Sequence, residues 1–377
     1  MRKKVVVLGA GMVGRAMAID LSKQNDVLSV DRDAGALALL ASHSSLVTKQ
    51  ADLGDAASVT GVIADADIVV GAVPGFMGFK TLETVIAAGK NIVDISFFSE
   101  NPFELDALAK AQGVIAVMDA GVAPGMSNII LGSYQNEMKV TDYICYVGGL
   151  PRERIWPYEY KAPFSPIDVI AEYTRPSRIV ENSELVQRVA LSEPELIDFP
   201  GVGTLEAFNT DGLRSLVHTM KIPNMIEKTL RYPGHIELMR VLRETGFFGE
   251  QHVQIGDQSI RPIDLTTSLL FPKWKLGEEE EEFTVMNILV EGLKAGKNFK
   301  HKYELLDRYD PTTKTSSMAR TTGYTCTAIT QLVLDGQYSR IGISPPEYVG
   351  ATQGCLETVF NYLEQRGVIY KKSSVEG

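Results

Sequence analysis

The sequence predicts an α/β protein in which an N-terminal doubly wound parallel sheet is followed by a mixed α+β domain. Three observations lead to this prediction. Residues 5–21 read VVVLGAGMVGRAMAIDL, with three glycines at G-x-G-x-x-G spacing. Apolar runs then alternate with Ala-rich and Leu-rich helical stretches as far as about residue 118. From about residue 140 the pattern changes to short alternating strands separated by turn residues.

The glycine segment predicts a strand, a tight turn and a helix that bind a dinucleotide, as in a Rossmann domain. A secretion signal is the alternative, because Met-Arg-Lys-Lys precedes the apolar run, but such a signal has no use for spaced glycines and Asp20 interrupts it. Helix amides there would face the pyrophosphate. The predicted contacts in this turn are Gly9, Gly11, Met12, Val13 and Gly14.

Asp31 ends the second apolar run, seventeen positions after Gly14. A carboxylate there can accept hydrogen bonds from both ribose hydroxyls and would repel the extra phosphate of NADP, so NAD is the predicted cofactor. Arg32 leaves NADP open, because a guanidinium can pair with that phosphate. The alternative role of Asp31 is that of an ordinary turn residue.

Four further strands are predicted over residues 47–51, 68–72, 92–95 and 114–118, completing a sheet of six. Ligands of such sheets bind beyond the carboxyl ends of the strands. The residues at those ends are predicted to contact the cofactor, although each also suits a plain turn: Asp52, Leu53, Val73, Pro74, Gly75 and Ser96.

The second half of the chain reads as a substrate domain. Strands are expected over 143–147, 180–189 and 203–208, and 283–290 is expected to face 299–306 across a turn. Helices are expected over 235–245, 264–270, 321–334 and 347–365. The predicted domains are 1–125 for the cofactor, 126–320 for substrate and oligomerisation, and 321–377 as C-terminal helices.

Composition narrows the classes of partner. The formal charge is −10 with a pI near 5.2, which argues against nucleic acid and favours small molecules or other proteins. No apolar segment has the length that spans a bilayer, and the three cysteines and five histidines show no metal-ligand spacing. We therefore expect a cytoplasmic protein without a bound metal.

Several segments together resemble the saccharopine dehydrogenase family. They are GAGMVGRAMA, GAVPGFMGFKTL, DISFFSENPFEL, DAGVAPGMSNI, YVGGLP, TLRYPGH and TTGYTCTAI, so the resemblance extends from Lys4 to roughly Tyr370. It is strongest to the branch that uses NAD to deaminate L-lysine at its side-chain nitrogen. The resemblance implies C-terminal helices that return to the Rossmann domain, and a homodimer or higher homo-oligomer formed through the substrate domain.

One departure from the family pattern bears on the substrate. Members that split saccharopine carry an Asn-Arg-Asp-Ser type of segment where this chain has Asn209-Thr210-Asp211-Gly212. The missing arginine suits a substrate smaller than saccharopine, and the resemblance implies that this substrate is L-lysine, giving allysine, ammonia and NADH. Two alternatives remain open: a dehydrogenase of a secondary amine such as saccharopine or a carboxylated polyamine, and a dinucleotide-binding protein without turnover.

Amine oxidation requires a neutral amine, so a buried base or a water chain should accept its proton. Asp119, at the end of the sixth strand, is the first candidate for this catalytic role, followed by Lys161 and His235; a hinge residue, a surface lysine and a helix cap are their structural alternatives. A substrate carboxylate suits an arginine, first Arg214 or Arg231 and then Arg175. The remaining candidates for substrate contacts, some of which suit the domain core equally well, are Phe76, Phe79, Tyr160, Glu172, Tyr173 and Asp211.

Overall fold

A computed structural model of the protein describes residues 2–44 and 46–376. The described residues form two compact units. Unit 1 is built from residues up to 138 and from 318–369, and unit 2 from 139–317 together with the strand that follows 369. Each unit has its own sheet.

The N-terminal part of unit 1 alternates strands with helices, as the sequence predicts. Acidic side chains begin two of the helices: Asp33 Oδ1 accepts a hydrogen bond from the Gly35 amide at 2.7 Å, and Asp55 Oδ2 accepts one from the Ser58 amide at 3.0 Å. The elements are β1 (Lys4–Leu8), α1 (Met12–Ser22), β2 (Asp26–Asp31), α2 (Ala34–His43), β3 (Val47–Gln50), α3 (Ala56–Ile63), β4 (Ile68–Gly71), α4 (Gly75–Ala87), β5 (Asn91–Asp94), a 3₁₀ turn (Pro102–Leu105), α5 (Asp106–Gln112), β6 (Ile115–Val117), α6 (Met126–Ser133) and a second 3₁₀ turn (Tyr134–Asn136).

Unit 2 contains longer strands and the helices that pack on them. The hairpins turn through residues with positive φ, Asn182-Ser183 and Ala295-Gly296, which is the geometry that suits the twist of paired strands. The elements are β7 (Lys139–Pro151), α7 (Pro166–Thr174), β8 (Ser177–Glu181), β9 (Glu184–Arg188), β10 (Glu195–Phe199), β11 (Gly203–Asn209), α8 (Leu216–Thr219), β12 (Asn224–Arg231), α9 (His235–Thr245), β13 (Val253–Ile255), β14 (Gln258–Ile260), α10 (Pro262–Trp274), β15 (Glu282–Lys294) and β16 (Lys297–Arg308).

The C-terminal part of the chain contributes to both units. It consists of α11 (Ser317–Leu334), β17 (Gly342–Ser344), α12 (Pro346–Ala351), α13 (Cys355–Glu364) and β18 (Tyr370–Glu376). The helices lie in unit 1, as the family resemblance implies, whereas β18 pairs with β16 of unit 2. A single helical stretch was expected over 347–365, but Gly354, with φ +83°, begins a separate helix.

The sheet of unit 1 has the order β17-β6-β5-β4-β1-β2-β3, and every pairing in it is parallel. This is the doubly wound order, with β17 as a seventh strand beside the expected six. Residues 5–8 and all of β4 are buried, as strands covered on both faces by helices require. The predicted fold class is therefore confirmed.

The sheet of unit 2 is mixed, with the order β10-β11-β12-β7-β15-β16-β18 and with β8 and β9 attached beside β12. Only the pairing of β12 with β7 is parallel within this path. The expected facing of 283–290 and 299–306 is seen in the register of β15 and β16, where Val285 pairs with Leu306.

Two predicted domain boundaries are corrected by the structure. The first lies after residue 138 rather than 125, because α6 packs against α12 of unit 1. A Cβ on Gly132 would lie 2.1 Å from the Glu347 carbonyl oxygen, and one on Gly350 would lie 2.0 Å from that of Ile129, so these helices touch through glycines. The second correction is β18, which forms an edge strand of unit 2 where only helices were expected.

Candidate functional site

The three glycines of the first turn in unit 1 have different roles. Gly9 has φ +113°, and a Cβ there would lie 2.4 Å from the Ala72 carbonyl oxygen. A Cβ on Gly14 would lie 2.2 Å from the Gly9 carbonyl oxygen. At Gly11, by contrast, no atom lies within 4 Å of a Cβ. The protein itself therefore requires Gly9 and Gly14, whereas the open space at Gly11 fits a pyrophosphate approaching the backbone.

Helix α1 begins directly after this turn, with Met12 and Val13 as its first residues. Gly11 is its N-cap, in an extended conformation without a side-chain cap. The amides of the first helical turn have no partner within the helix, and such amides are donors for an anion. The structure therefore places Met12 and Val13 where the sequence predicts a cofactor contact.

Asp31 connects the end of β2 to the glycine turn. Its carboxylate accepts hydrogen bonds from the Ala10 amide at 2.7 Å and from the Asp33 amide at 2.9 Å. Each carboxylate oxygen can accept a further bond, so the side chain is held in place and still suits a ribose hydroxyl. Arg32 is exposed beside it, with its carbonyl oxygen accepting from Gln50 Nε2 at 2.9 Å.

The other strand ends of unit 1 hold the expected residues in defined conformations. Asp52 accepts from the Gly54 amide at 2.9 Å, and buried Leu53 lines a cavity of about 170 Å³ together with exposed Phe76. Val73 and Pro74 lead into α4, which begins at Gly75. Ser96 is buried, and its amide and hydroxyl donate to the two oxygens of Asp94 at 2.8 Å and 3.0 Å.

Phe79 does not belong with these residues. Its ring packs edge-on against Phe98, with the centroids 5.8 Å apart, as part of the core of unit 1. The sequence expectation that Phe79 lines the substrate chain is therefore replaced by a packing role. Phe76, on the preceding turn of α4, is 74% exposed.

Asp119 follows β6 in unit 1 and is 2% exposed. Its φ is +55°, in the left-handed region that aspartate tolerates better than most residues. A non-glycine residue held there costs free energy, and such residues cluster at functional sites. This conformation and burial are consistent with the expected role of Asp119, and the loop after it is described further below.

The second candidate region is a buried polar cluster in unit 2, which we call the Arg231 cluster. Arg231 NH2 lies 2.8 Å from Glu172 Oε2, its Nε donates to the Tyr173 hydroxyl at 3.0 Å, and its guanidinium stacks over the Tyr160 ring at 4.4 Å. Burial disfavours the charged form of Arg231, but the surrounding Tyr160, Tyr173 and Glu172 outweigh this and raise its pKa. The cluster consists of Tyr160, Glu172, Tyr173, Arg231, His235 and Trp274.

His235 is the last acceptor in a chain of hydrogen bonds that runs from Arg231 through the Tyr173 hydroxyl. Its Nε2 lies 3.0 Å from the Tyr173 hydroxyl and its Nδ1 lies 2.8 Å from the Tyr158 carbonyl oxygen. Because a carbonyl only accepts, Nδ1 carries the proton and Nε2 accepts from Tyr173. Burial, and then the charge of Arg231, lowers the pKa of His235 to about 3, so the imidazole is neutral.

These contacts revise three sequence expectations. Arg231 and Glu172, expected to bind a carboxylate and an ammonium, form an ion pair with each other. His235, expected to transfer a proton, has both ring nitrogens engaged. Tyr160 is buried under the guanidinium. The Arg231–Glu172 ion pair neutralises opposite charges inside the cluster, and the roles of these residues toward a substrate stay predictions.

A second group of charges in unit 2 surrounds Asp211. It consists of Arg175, Arg178, Asp211 and Arg214, and we call it the Arg175 group. Arg178 donates from Nε and NH2 to the two oxygens of Asp211 at 2.8 Å and 2.9 Å, so this carboxylate is already bound. Burial, and then repulsion by Arg214, lowers the pKa of Arg175. The carboxylates of Asp211 and Asp168 act in the opposite direction and raise this pKa.

Lys161 is partly buried and forms an ion pair with Glu280, with its side chain 19% exposed. Its ammonium lies 3.4 Å from Glu280 Oε1 and donates to the Lys275 carbonyl oxygen at 3.3 Å. Its role as a catalytic base stays a prediction.

Sequence reasoning missed two residues that hold these sites in place. Arg178 binds Asp211, and Trp274 packs edge-on against Tyr160 with the ring centroids 5.5 Å apart. Neither has a local signal, because tertiary folding brings them to their partners. Asp94, which fixes Ser96, belongs with the strand-end residues that the sequence indicates.

Over 2–44 and 46–376, no group of three or more His, Cys, Asp and Glu side chains is arranged to hold a metal ion.

The same residues contain no helix that is both long enough and apolar enough to cross a bilayer.

Comparison with known proteins identifies matching family models for both halves of the chain. Residues 5–117 match the model of the saccharopine dehydrogenase NADP binding domain, and residues 121–368 match that of the saccharopine dehydrogenase C-terminal domain. Saccharopine dehydrogenase [NADP(+), L-glutamate-forming] of Saccharomyces cerevisiae is 26% identical over 278 residues, covering 69% of this chain and 62% of that protein. The enzyme of the same name from Pyricularia oryzae is 24% identical over 267 residues, covering 66% of this chain and 59% of that protein.

Solved structures agree with this placement at the level of fold. Apo saccharopine dehydrogenase (L-Glu forming) from S. cerevisiae superposes with a TM-score of 0.78 at 19% identity, covering 99% of this chain and 100% of that one. Homospermidine synthase from Legionella pneumophila in complex with NAD superposes with a TM-score of 0.67 at 12% identity, covering 100% and 92%. In sequence, the match spans about three-fifths of the length of the fungal relatives. The chain thus belongs to the saccharopine dehydrogenase family.

Proposed function

We propose that the protein is a nicotinamide-dependent oxidoreductase that oxidises a carbon–nitrogen bond of L-lysine or of a lysine derivative. The observation that carries this proposal is the family match over 5–117 and 121–368, joined with a glycine turn that is open only at Gly11. Two acidic residues support it: Asp31, whose carboxylate accepts a hydrogen bond from the Ala10 amide of the glycine turn, and the buried Asp119.

For the cofactor, we propose NAD. The amides of the turn from Gly9 to Gly14 would hold the pyrophosphate and Asp31 the adenosine ribose. When bound, the nicotinamide would accept the hydride from the substrate carbon. NADP is the competing choice, because the fungal relatives carry NADP(+) in their names and Arg32 is exposed beside Asp31.

For the substrate, we propose L-lysine, oxidised at its ε-carbon. Its single carboxylate would suit Arg214 or Arg175, which repel each other in the Arg175 group. Thr210 stands in the Asn209-Thr210-Asp211-Gly212 segment where saccharopine-splitting members carry arginine, in line with a substrate smaller than saccharopine. The ion pair of Arg231 with Glu172 leaves Arg214 and Arg175 as the candidates for this contact.

Oxidation of the ε-amine requires a group that accepts a proton, and a buried carboxylate suits this role. The ε-amine must lose a proton before its lone pair can form the carbon–nitrogen double bond as the hydride leaves, and Asp119 would accept that proton. Water then adds to the imine carbon and ammonia leaves, which gives allysine. The balance is lysine, NAD⁺ and water to allysine, ammonia, NADH and a proton.

A second candidate is cleavage of saccharopine, a secondary amine, and the names of the fungal relatives favour it. Hydride transfer from the lysine-derived carbon to the nicotinamide would give an imine, and its hydrolysis by water would give allysine and glutamate without ammonia. The two reactions therefore differ in the nitrogen product.

The test measures NADH formation by the purified protein with L-lysine and NAD at mildly alkaline pH, with ammonia assayed in parallel and saccharopine as the comparison substrate. Equal yields of NADH and ammonia would support lysine deamination. Turnover with saccharopine and silence with lysine would select the second candidate. Silence with both, despite bound NAD, would leave a dinucleotide-binding protein.

We also propose that the protein acts as a homo-oligomer associated through unit 2. Apolar side chains exposed on that unit support this, among them Leu185 and Leu196 on β9 and β10. Sedimentation velocity of the purified chain tests it, and a monomer at micromolar concentration would contradict it.

A further inference from the structure

The loop that follows Asp119 is held in place by a buried carboxylate from the far end of the chain. We infer that Glu347 is a positioning residue for Asp119, acting through Asn128 and the 119–128 loop. This inference rests on the proposed function, in which Asp119 accepts the amine proton.

The loop folds back on itself directly after Asp119. The Gly121 amide donates to the Pro124 carbonyl oxygen at 3.1 Å, and the Met126 amide donates to that of Gly121 at 2.9 Å. Gly125 has φ +139°, and a Cβ there would lie 1.8 Å from the Gly121 carbonyl oxygen. The path of the loop therefore depends on where Gly125 is fixed.

Asn128 fixes Gly125. Its Oδ1 accepts hydrogen bonds from the Gly125 amide at 3.2 Å and from the Ser127 hydroxyl at 3.1 Å. Its Nδ2 donates to Glu347 Oε2 at 3.1 Å. Asn128, Ser127 and Glu347 are all fully buried, so water does not replace these bonds.

Glu347 decides which way the Asn128 amide points. A side-chain amide has one accepting and one donating end, and a flip would aim its NH₂ group at the Gly125 N–H. The carboxylate of Glu347 only accepts, so it holds the NH₂ end and leaves Oδ1 for Gly125. An acceptor without an N–H is therefore used where a side-chain amide would leave both orientations available.

The backbone around Glu347 is closely packed against a neighbouring helix. Helices α6 and α12 touch at Gly132 and Gly350, where a Cβ would lie 2.1 Å from the Glu347 carbonyl oxygen and 2.0 Å from that of Ile129. Close packing of this kind leaves little room for adjustment. The C-terminal segment thus packs on unit 1 and also supplies Glu347, which positions the 119–128 loop.

The test is a double-mutant cycle with Glu347→Ala and Asp119→Asn. We expect Glu347→Ala to lower kcat about tenfold, a fraction of what a general base contributes, with the KM for NAD unchanged within about twofold. Glu347→Gln, whose amide has a donor as well as an acceptor and leaves both orientations of Asn128 available, should recover only part of the activity. On the Asp119→Asn background Glu347→Ala should have no further effect on kcat, because the two residues act as one unit.

Three outcomes would overturn the inference, and they differ from a failure of the proposed function. Equal losses from Glu347→Ala on both backgrounds would show a general structural role. Loss of kcat in Asp119→Asn alone would show that Glu347 does not act on it. An unchanged kcat in Asp119→Asn would show that Asp119 is not the base, whereas failure of the proposed function would appear as a wild type without turnover.

A readout that does not need turnover accompanies the cycle. Hydrogen–deuterium exchange followed by mass spectrometry should show faster exchange in the 119–128 peptide of Glu347→Ala, because the Gly125 amide loses its ordered acceptor. The matched control is Glu357→Ala, an exposed glutamate on α13. Unchanged exchange in this peptide would overturn the inference whatever the activity.

Discussion

Gly11 differs from its two neighbours in the glycine turn, because only Gly9 and Gly14 are crowded by the protein itself. We expect Gly11→Ala to change the free energy of unfolding by less than about 0.5 kcal/mol, while the Kd for NAD rises at least about tenfold. Gly14→Ala should instead destabilise the fold by about 1 to 3 kcal/mol, since its Cβ meets the Gly9 carbonyl oxygen. Urea unfolding and NAD titration separate the two effects. Equal destabilisation by both variants would contradict this assignment.

Asp31 is the residue on which the choice between NAD and NADP depends. Asp31→Ala removes the carboxylate that would bind the ribose and repel the extra phosphate, so the preference for NAD should fall by about tenfold or more. The ratio of kcat/KM values for the two cofactors measures this. Asp67→Ala, another change of one aspartate in unit 1, is the control. A preference that stays the same in Asp31→Ala would remove Asp31 from the cofactor site.

His235 is a residue whose titration affects stability. Its pKa is about 3 when folded against an ordinary 6.5, so above pH 6.5 it is neutral in both states. As the pH falls below 6.5 the unfolded chain takes up the proton first, and stability is lost at about 1.4 kcal/mol per pH unit. Relative to His235→Asn, the wild type should lose about 2 kcal/mol between pH 7 and 5 in urea unfolding. Exposed His252→Asn should retain the wild-type pH dependence.

At the scale of elements, one carboxylate ties the C-terminal helices to the cofactor-binding helix of unit 1. Asp20 on α1 accepts hydrogen bonds from Thr327 on α11 at 2.8 Å, from Tyr362 on α13 at 2.7 Å, and from Arg366 at 2.8 Å. Its side chain is 1% exposed and that of Arg366 is 9% exposed. A buried arginine left without its carboxylate is costly.

We therefore expect Asp20→Ala to lower the free energy of unfolding by about 3 kcal/mol, and Tyr362→Phe to lower it by about 1 kcal/mol. Glu83→Ala, which breaks an exposed ion pair with Lys80, should cost less than about 0.5 kcal/mol. Chemical unfolding of the three variants gives these values. A cost of Asp20→Ala no larger than that of Glu83→Ala would show that the helices are held by other contacts.

At the scale of the whole molecule, the cofactor should stabilise the native state. A ligand that binds only the folded protein adds about 2.7 kcal/mol of stability when its concentration is 100 times its Kd. NAD should therefore raise the Tm of the wild type in a thermal scan, and it should raise that of Gly11→Ala much less at the same concentration. An equal shift in both proteins would mean that NAD binds elsewhere.

The sequence by itself determined the doubly wound sheet, the glycine turn, and the position of Asp31 at the end of β2. These features depend on local periodicity and on residues close together in the chain, where apolar runs and glycine spacing act directly. It also placed Asp119 after the sixth strand and the main hairpin of unit 2, because strand ends and turns are local features.

Only the tertiary structure decided which charged residues neutralise one another. Arg231 and Glu172 were both predicted to contact substrate, but they are 59 residues apart in sequence and form an ion pair. Asn128 and Glu347 are 219 residues apart, and neither has a local pattern that indicates the other. The structure likewise placed β17 and β18 in different sheets. Pairings of this kind follow from how the chain packs over long sequence separations, where local periodicity carries no information.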